Sequence, residues 1–154
     1  MDKILNDFLQ KGKKNFVFIG EAGSGKSEIA INFAVNLARI ADRPVHFFDM
    51  DQTKPLFRSR DVKEKIEAEK VIVHYEDQFF DAPTAVGGVR ERLSDDGSIV
   101  IVDVGGDHTG SRLIGAFSDC LNRPNTQNFF VINAYRPWSK DLVSIDGTMA
   151  RVLG

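Results

Sequence analysis

The residues best suited to chemistry lie in "GEAGSGKS", where Gly20, Gly25, Lys26 and Ser27 fall in the spacing G-x-x-x-x-G-K-S. Glycines at 20, 23 and 25 let the backbone turn tightly and aim consecutive N–H groups inward as an anion nest. A helix that begins as the loop ends adds the positive end of its dipole. In such a loop Lys26 reaches β- and γ-phosphate oxygens, and the Ser27 hydroxyl ligates Mg²⁺. Gly20, Glu21, Ala22, Gly23, Ser24, Gly25, Lys26 and Ser27 therefore form the expected nucleotide-binding loop, shaped for a nucleoside triphosphate. A plain glycine-rich turn is the alternative. Against it, "NFVFI" before the loop reads as a strand and "SEIAINFAVNLA" after it reads as a helix, the context this spacing requires.

Two more strand-like runs end in acids, and in parallel α/β sheets ligands bind at the carboxyl ends of strands. "VHFFDMDQTKP" places Asp49 and Asp51 at and just past one end; "IVIVDVGGD" places Asp103 before Gly105 and Gly106. Asp103 suits a carboxylate that holds Mg²⁺, and the glycine pair would let a backbone N–H approach a γ-phosphate. Asp51 is the candidate for orienting an attacking water, with Asp49 assisting at the metal; ordinary turn acids are the alternative for both. Lys54, Arg58 and Arg60 follow closely. They either meet an anionic substrate or partner, or form a solvated helix start with Phe57 packed inward. In "VINAYRPWS", Asn133 offers a donor and an acceptor that match the edge of adenine, and Arg136 or Trp138 could cover a base. The alternative there is a polar strand end and a turn restricted by Pro137. No N-K-x-D guanine signature occurs, which leans the choice of base toward adenine. His46 and His74 lie in apolar strands and His108 follows the glycine turn, so no histidine ligand set is expected.

Five apolar, β-branched runs must position these residues: "NFVFIG", "PVHFFDM", "KVIVHY", "SIVIVDVGG" and "NFFVINAY". Continuous rather than alternating apolar strands, each followed by a helix-length segment, predict a parallel sheet covered on both faces. The expected fold is α/β, a three-layer doubly wound sheet in one domain over residues 1–154. Helices are expected over 26–41, 54–69, 82–93 with Asp81 as N-cap, 109–121, and from Ser139 onward. The helix over 26–41 reads as apolar almost all round. Leu142, Ile145, Met149 and Val152 form a stripe at the end of the chain, which suggests a minimal member of the fold or one shortened at its C-terminus.

Composition narrows the classes. With 154 residues and 42% hydrophobic content the chain can build one ordinary core. Twenty basic and twenty-two acidic residues leave a formal charge of −2, so there is no strong electrostatic case for nucleic acid. No apolar run approaches the ~20 residues of a membrane span and no secretory leader is visible, so the cytoplasm is the expected compartment. A single cysteine, Cys120, excludes an internal disulfide; its apolar setting reads as a small buried hydrophobe.

"GEAGSGKSEIAINFAVNLA", "FFDMDQTKPLFRSRD", "IVIVDVGGDHTGSRLIGAF" and "VINAYRPWSKD" together resemble the CobQ/CobB/MinD/ParA nucleotide-binding superfamily of P-loop proteins. The likeness is to a bacterial branch with a D-x-D-x-x-x-P-x-F-R-S-R second motif and a D-V-G-G-D Walker B. It implies ATP and Mg²⁺ as cofactors, slow hydrolysis of the β–γ phosphoanhydride, and a nucleotide-controlled homodimer acting on a protein partner. Carried over by motif, Gly20 to Ser27 form the loop, Asp49 and Asp51 the strand-2 acids, Asp103 the Walker B acid and Asn133 the base reader. MinD and ParA members place a second lysine at the second loop position, where it crosses a dimer; this chain has Glu21 there. A carboxylate at that place repels a triphosphate and is expected to turn away. A second expectation from the superfamily is a ligase or kinase that activates an acidic small molecule with ATP, as in cobyrinate amidation or dethiobiotin formation, which also do without that lysine.

Overall fold

The computed structural model describes residues 2–50, 60–74, 88–106, 110, 112 and 115–153. In chain order the elements are α1 (Asp2–Gln10), β1 (Asn15–Ile19), α2 (Lys26–Ile40), β2 (Val45–Met50), α3 (Arg60–Ala68), β3 (Val71–His74), α4 (Val89–Ser94), β4 (Ile99–Val104), α5 (Ser118–Leu121), β5 (Thr126–Phe130) and α6 (Leu142–Leu153). A short 3₁₀ turn, Pro137–Ser139, lies between β5 and α6. Among the described residues the strands form one five-stranded sheet in the order β3-β2-β4-β1-β5, with every pairing parallel. β1, β2 and β4 are buried at every position, because each has a neighbour on both edges and helices over both faces.

Two apolar layers flank the sheet. Residues of α1, α2 and α3 pack on one face with Phe16, Phe18, Phe47 and Ile101, while residues of α4, α5 and α6 pack on the other with Val17, Phe48, Val100 and Val102. The chain is thus an α/β fold with a parallel sheet between helical layers. On the first face Phe8, Phe16, Phe18, Phe33 and Phe129 form a continuous ring cluster, with Phe16–Phe33 and Phe18–Phe129 centroids each 4.9 Å apart. Such pairs contribute about 0.5–1.5 kcal/mol each beyond burial, so this cluster fixes α2 and the base of its preceding loop on β1 and β5.

The strand order places a crevice. The connection leaving β1 passes over β4 to reach β2, and the connection leaving β4 passes β1 to reach β5. Right-handed crossovers in opposite directions carry their helices to opposite faces. Accordingly α2 lies in the first layer and α5 in the second. The carboxyl ends of β1 and β4 are therefore adjacent at a switch in topology, the usual ligand position in such sheets.

Several elements differ from expectation. The N-terminal segment is a helix, α1, because Leu5, Phe8 and Leu9 recur on one face and join the first layer. α2 is one-sided: Ala30, Phe33, Ala34 and Leu37 are buried, whereas Ile29 is exposed. α4 begins only at Val89, behind Gly88 in a left-handed conformation (φ 82°), while Asp81 lies outside the described residues. α3 begins at Arg60, and 54–59 also lie outside. The expected helix over 109–121 is broken at Phe117, whose carbonyl accepts from both Cys120 and Leu121 N–H as α5 begins. β5 starts at Thr126, opposite Asn15, and ends at Phe130. α6 is capped by Asp141, not Ser139, since Asp141 Oδ1 accepts from Ser144 N–H at 2.7 Å. Its first residue, Leu142, is 83% exposed; Thr148 and Val152 carry the buried face. Among the described residues no helix is long and apolar enough to cross a membrane.

Candidate functional site at the ends of β1 and β4

β1 stops at Ile19 because Gly20 begins a tight turn under the end of β5. A Cβ on Gly20 would lie 2.6 Å from Val131 O, a distance side chains do not tolerate. Gly23 and Gly25 have φ of 78° and 87°, a left-handed region that favours glycine. Ser24 N–H donates to Glu21 O at 3.0 Å and closes the turn. Gly25 then caps α2, and having no side chain it makes no side-chain cap hydrogen bond to the first amides of that helix. On the opposite side β4 approaches the loop as closely as backbone permits. A Cβ on Gly106 would lie 2.6 Å from Ala22 N and 2.7 Å from Gly20 O.

Lys26, the first residue of α2, is directed inward at 4% exposure. Its ammonium lies 3.3 Å from Asp103 Oδ1 and 3.4 Å from Ser27 Oγ. Asp103 is directly opposite Asp49 in the β2–β4 register, and both are buried. Neighbouring strands lie about 4.8 Å apart, so two carboxylates, a hydroxyl and an ammonium converge on the face covered by α2. Oxygen donors of this kind suit a hard cation such as Mg²⁺, and the glycine cradle suits an anion. Among the described residues no group of three His, Cys, Asp or Glu side chains forms a self-sufficient metal site. Mg²⁺ is commonly held by one or two carboxylates together with phosphate oxygens and water.

The segment after β5 forms the other wall. Val131 N–H donates to Ile19 O at 2.7 Å, extending the pairing with β1 to the edge of the loop. Asn133 lies three residues beyond the strand, not at its end, and its Oδ1 accepts from Tyr135 N–H at 3.0 Å. That turn uses one of the two lone pairs of the amide oxygen and orients the side chain on its own loop. Arg136 reaches back to the loop: its Nε donates to Gly23 O at 3.4 Å, and its guanidinium lies 5.8 Å from the Trp138 ring.

The structure thus brings Gly20, Gly23, Ser24, Gly25, Lys26, Ser27, Asp49, Asp103 and Arg136 around one crevice. Glu21 is drawn from it toward α6, with Oε1 3.5 Å from Arg151 Nη2. Asp51, Lys54 and Arg58 lie outside the described residues, as do the side chain of Arg60 and all of His108. The contacts of three residues escaped the sequence reading. Arg151 gave no signal, being 130 positions from its partner, Glu21. The histidines did: His46 and His74 face the same side of adjacent strands, with Nδ1···Nε2 at 2.8 Å, and His74 stacks on Phe48 at 4.3 Å. Burial, aided by Arg92 and His74, lowers the His46 pKa to about 4; burial and then Arg92 and Lys63 also lower that of His74. The pair is a neutral hydrogen-bonded dyad near the β3 edge.

No protein-family model matches the chain, and no curated protein matches it at a significant level.

Proposed function

We propose that this chain binds MgATP at the crevice between β1 and β4 and hydrolyses it slowly, as a nucleotide-controlled switch for a protein partner. The observation that carries this reading is the buried Lys26 ammonium between Asp103 and Ser27, at the foot of a loop with two left-handed glycines. The resemblance to the CobQ/CobB/MinD/ParA superfamily supports the same reading. Loop amides and the α2 terminus would take the β- and γ-phosphates, and Lys26 would turn from Asp103 to their oxygens. Mg²⁺, with Ser27, Asp103 and Asp49 around it, would supply charge neutralisation between those phosphates. Water attacks the γ-phosphorus, the bond to the β–γ bridging oxygen breaks, and ADP leaves; Asp51 is the residue proposed to orient that water and take its proton.

Phosphate release from MgATP tests the proposal. The wild type should turn over slowly, and Asp51→Ala should keep nucleotide affinity while losing turnover. Undiminished release by Asp51→Ala would remove that residue from the mechanism. Sedimentation with ATP and with ADP reads the switch, which requires a triphosphate-dependent change in assembly or shape.

A further inference from the structure

A closed ring of contacts runs from the glycine loop through the segment after β5 and back. It starts at Gly23 O, which accepts from Arg136 Nε, and passes through the guanidinium to the Trp138 ring. Trp138 O accepts from Thr148 Oγ1 at 3.0 Å, and Thr148 Oγ1 accepts from Arg151 Nη2 at 3.3 Å. Arg151 Nη2 then lies 3.5 Å from Glu21 Oε1, two residues from the start. Thr148 is 4% exposed and uses its one hydroxyl both ways, so it fixes the direction of the arginine.

Glu21 makes that direction matter. Its Oε2 is buried and accepts no hydrogen bond among the described residues, so the carboxylate relies on Arg151 for compensation. It occupies the second position of the loop proposed to cradle an anion. Without compensation, its charge would oppose a polyphosphate there.

We propose that Arg151 is a positioning residue for the phosphate site. It draws the Glu21 carboxylate toward α6 and offsets its charge, which makes the cradle receptive to a triphosphate and couples α6 to the occupancy of the loop. The inference rests on the nucleotide reading given under Proposed function.

Calorimetric titration with MgATP of the wild type, Arg151→Gln, Glu21→Gln and the double variant tests it, with urea unfolding to verify that each is folded. The Arg151 side chain is 61% exposed, so solvent screens part of the effect; Arg151→Gln should weaken MgATP binding about two- to fivefold and should weaken ADP less. Glu21→Gln should tighten binding, and the double variant should match Glu21→Gln within about twofold, because the charge to be offset is gone. Unchanged affinity in folded Arg151→Gln overturns the inference. So does a double variant as weak as Arg151→Gln, which would mark Arg151 as structural. A wild type that does not bind MgATP overturns the nucleotide reading first and this inference with it.

Discussion

Lys26 Nζ lies 3.3 Å from Asp103 Oδ1, with the two side chains 5% and 1% exposed, so the start of α2 is joined to the end of β4 by an ion pair withdrawn from water. A buried pair of this kind gives little net stability when whole, because desolvation offsets attraction, but breaking it strands a charge. A triphosphate would exchange one anionic partner of Lys26 for another without moving the helix that carries it.

Replacing Lys26 should therefore affect folding as well as binding. Lys26→Ala should remain folded but lose on the order of 3 kcal/mol, as expected when one member of a buried pair is removed. Urea unfolding followed by circular dichroism measures it. An unchanged midpoint would mean that solvent reaches Asp103 and that the pair is not buried.

Gly106→Ala probes the approach of β4 to the loop. A Cβ there meets Ala22 N at 2.6 Å and Gly20 O at 2.7 Å, and both are backbone, so the loop must shift. Because the cradle depends on amide direction, MgATP affinity should fall at least about tenfold while the helical signal persists. Wild-type affinity in Gly106→Ala would show that the loop position is not set by this contact.

The histidine dyad predicts a pH dependence of stability. His46 is held at about 4 in the folded chain against 6.5 for the free side chain, so between those values the unfolded chain binds more protons. Stability is complete above about 6.5 and falls as the pH drops toward 4; His74, lowered for the same reason, adds in the same sense. The charged groups acting on the dyad are Arg92, Lys63 and Asp95, of which only Asp95 opposes the shift of His46. In urea titrations across this range, His46→Gln should flatten the slope. A slope as steep as that of the wild type would place the titration elsewhere.

Much of this architecture is legible in the sequence because its signals are local. Continuous apolar runs marked β1, β2 and β4, since a buried parallel strand needs apolar side chains on both faces, whereas β5 (Thr126–Phe130) is only partly buried and begins two residues before the run read from Asn128. The loop spacing and Asp103 were legible because glycine conformation and strand-end position act over a few residues. Other features depend on tertiary register. The pairing of Asp49 with Asp103 follows from β4 inserting between β1 and β2, which strand spacing along the chain does not encode. His46 and His74 meet only once β2 and β3 are aligned. Asn133 is legible as polar near a strand end, but the turn its Oδ1 makes with Tyr135 N–H, three residues beyond β5, depends on how the loop folds. Arg151 reaches Glu21 through the fold of α6 onto the sheet, and nothing local to either residue anticipates it.

Calorimetric titration of the wild type with MgATP, beside Lys26→Ala shown to be folded by circular dichroism, tests the central claim most directly. Saturable binding at one site per chain that disappears in the variant is the predicted result. No binding by the wild type, or equal binding by both, would contradict the assignment of this crevice to a nucleoside triphosphate.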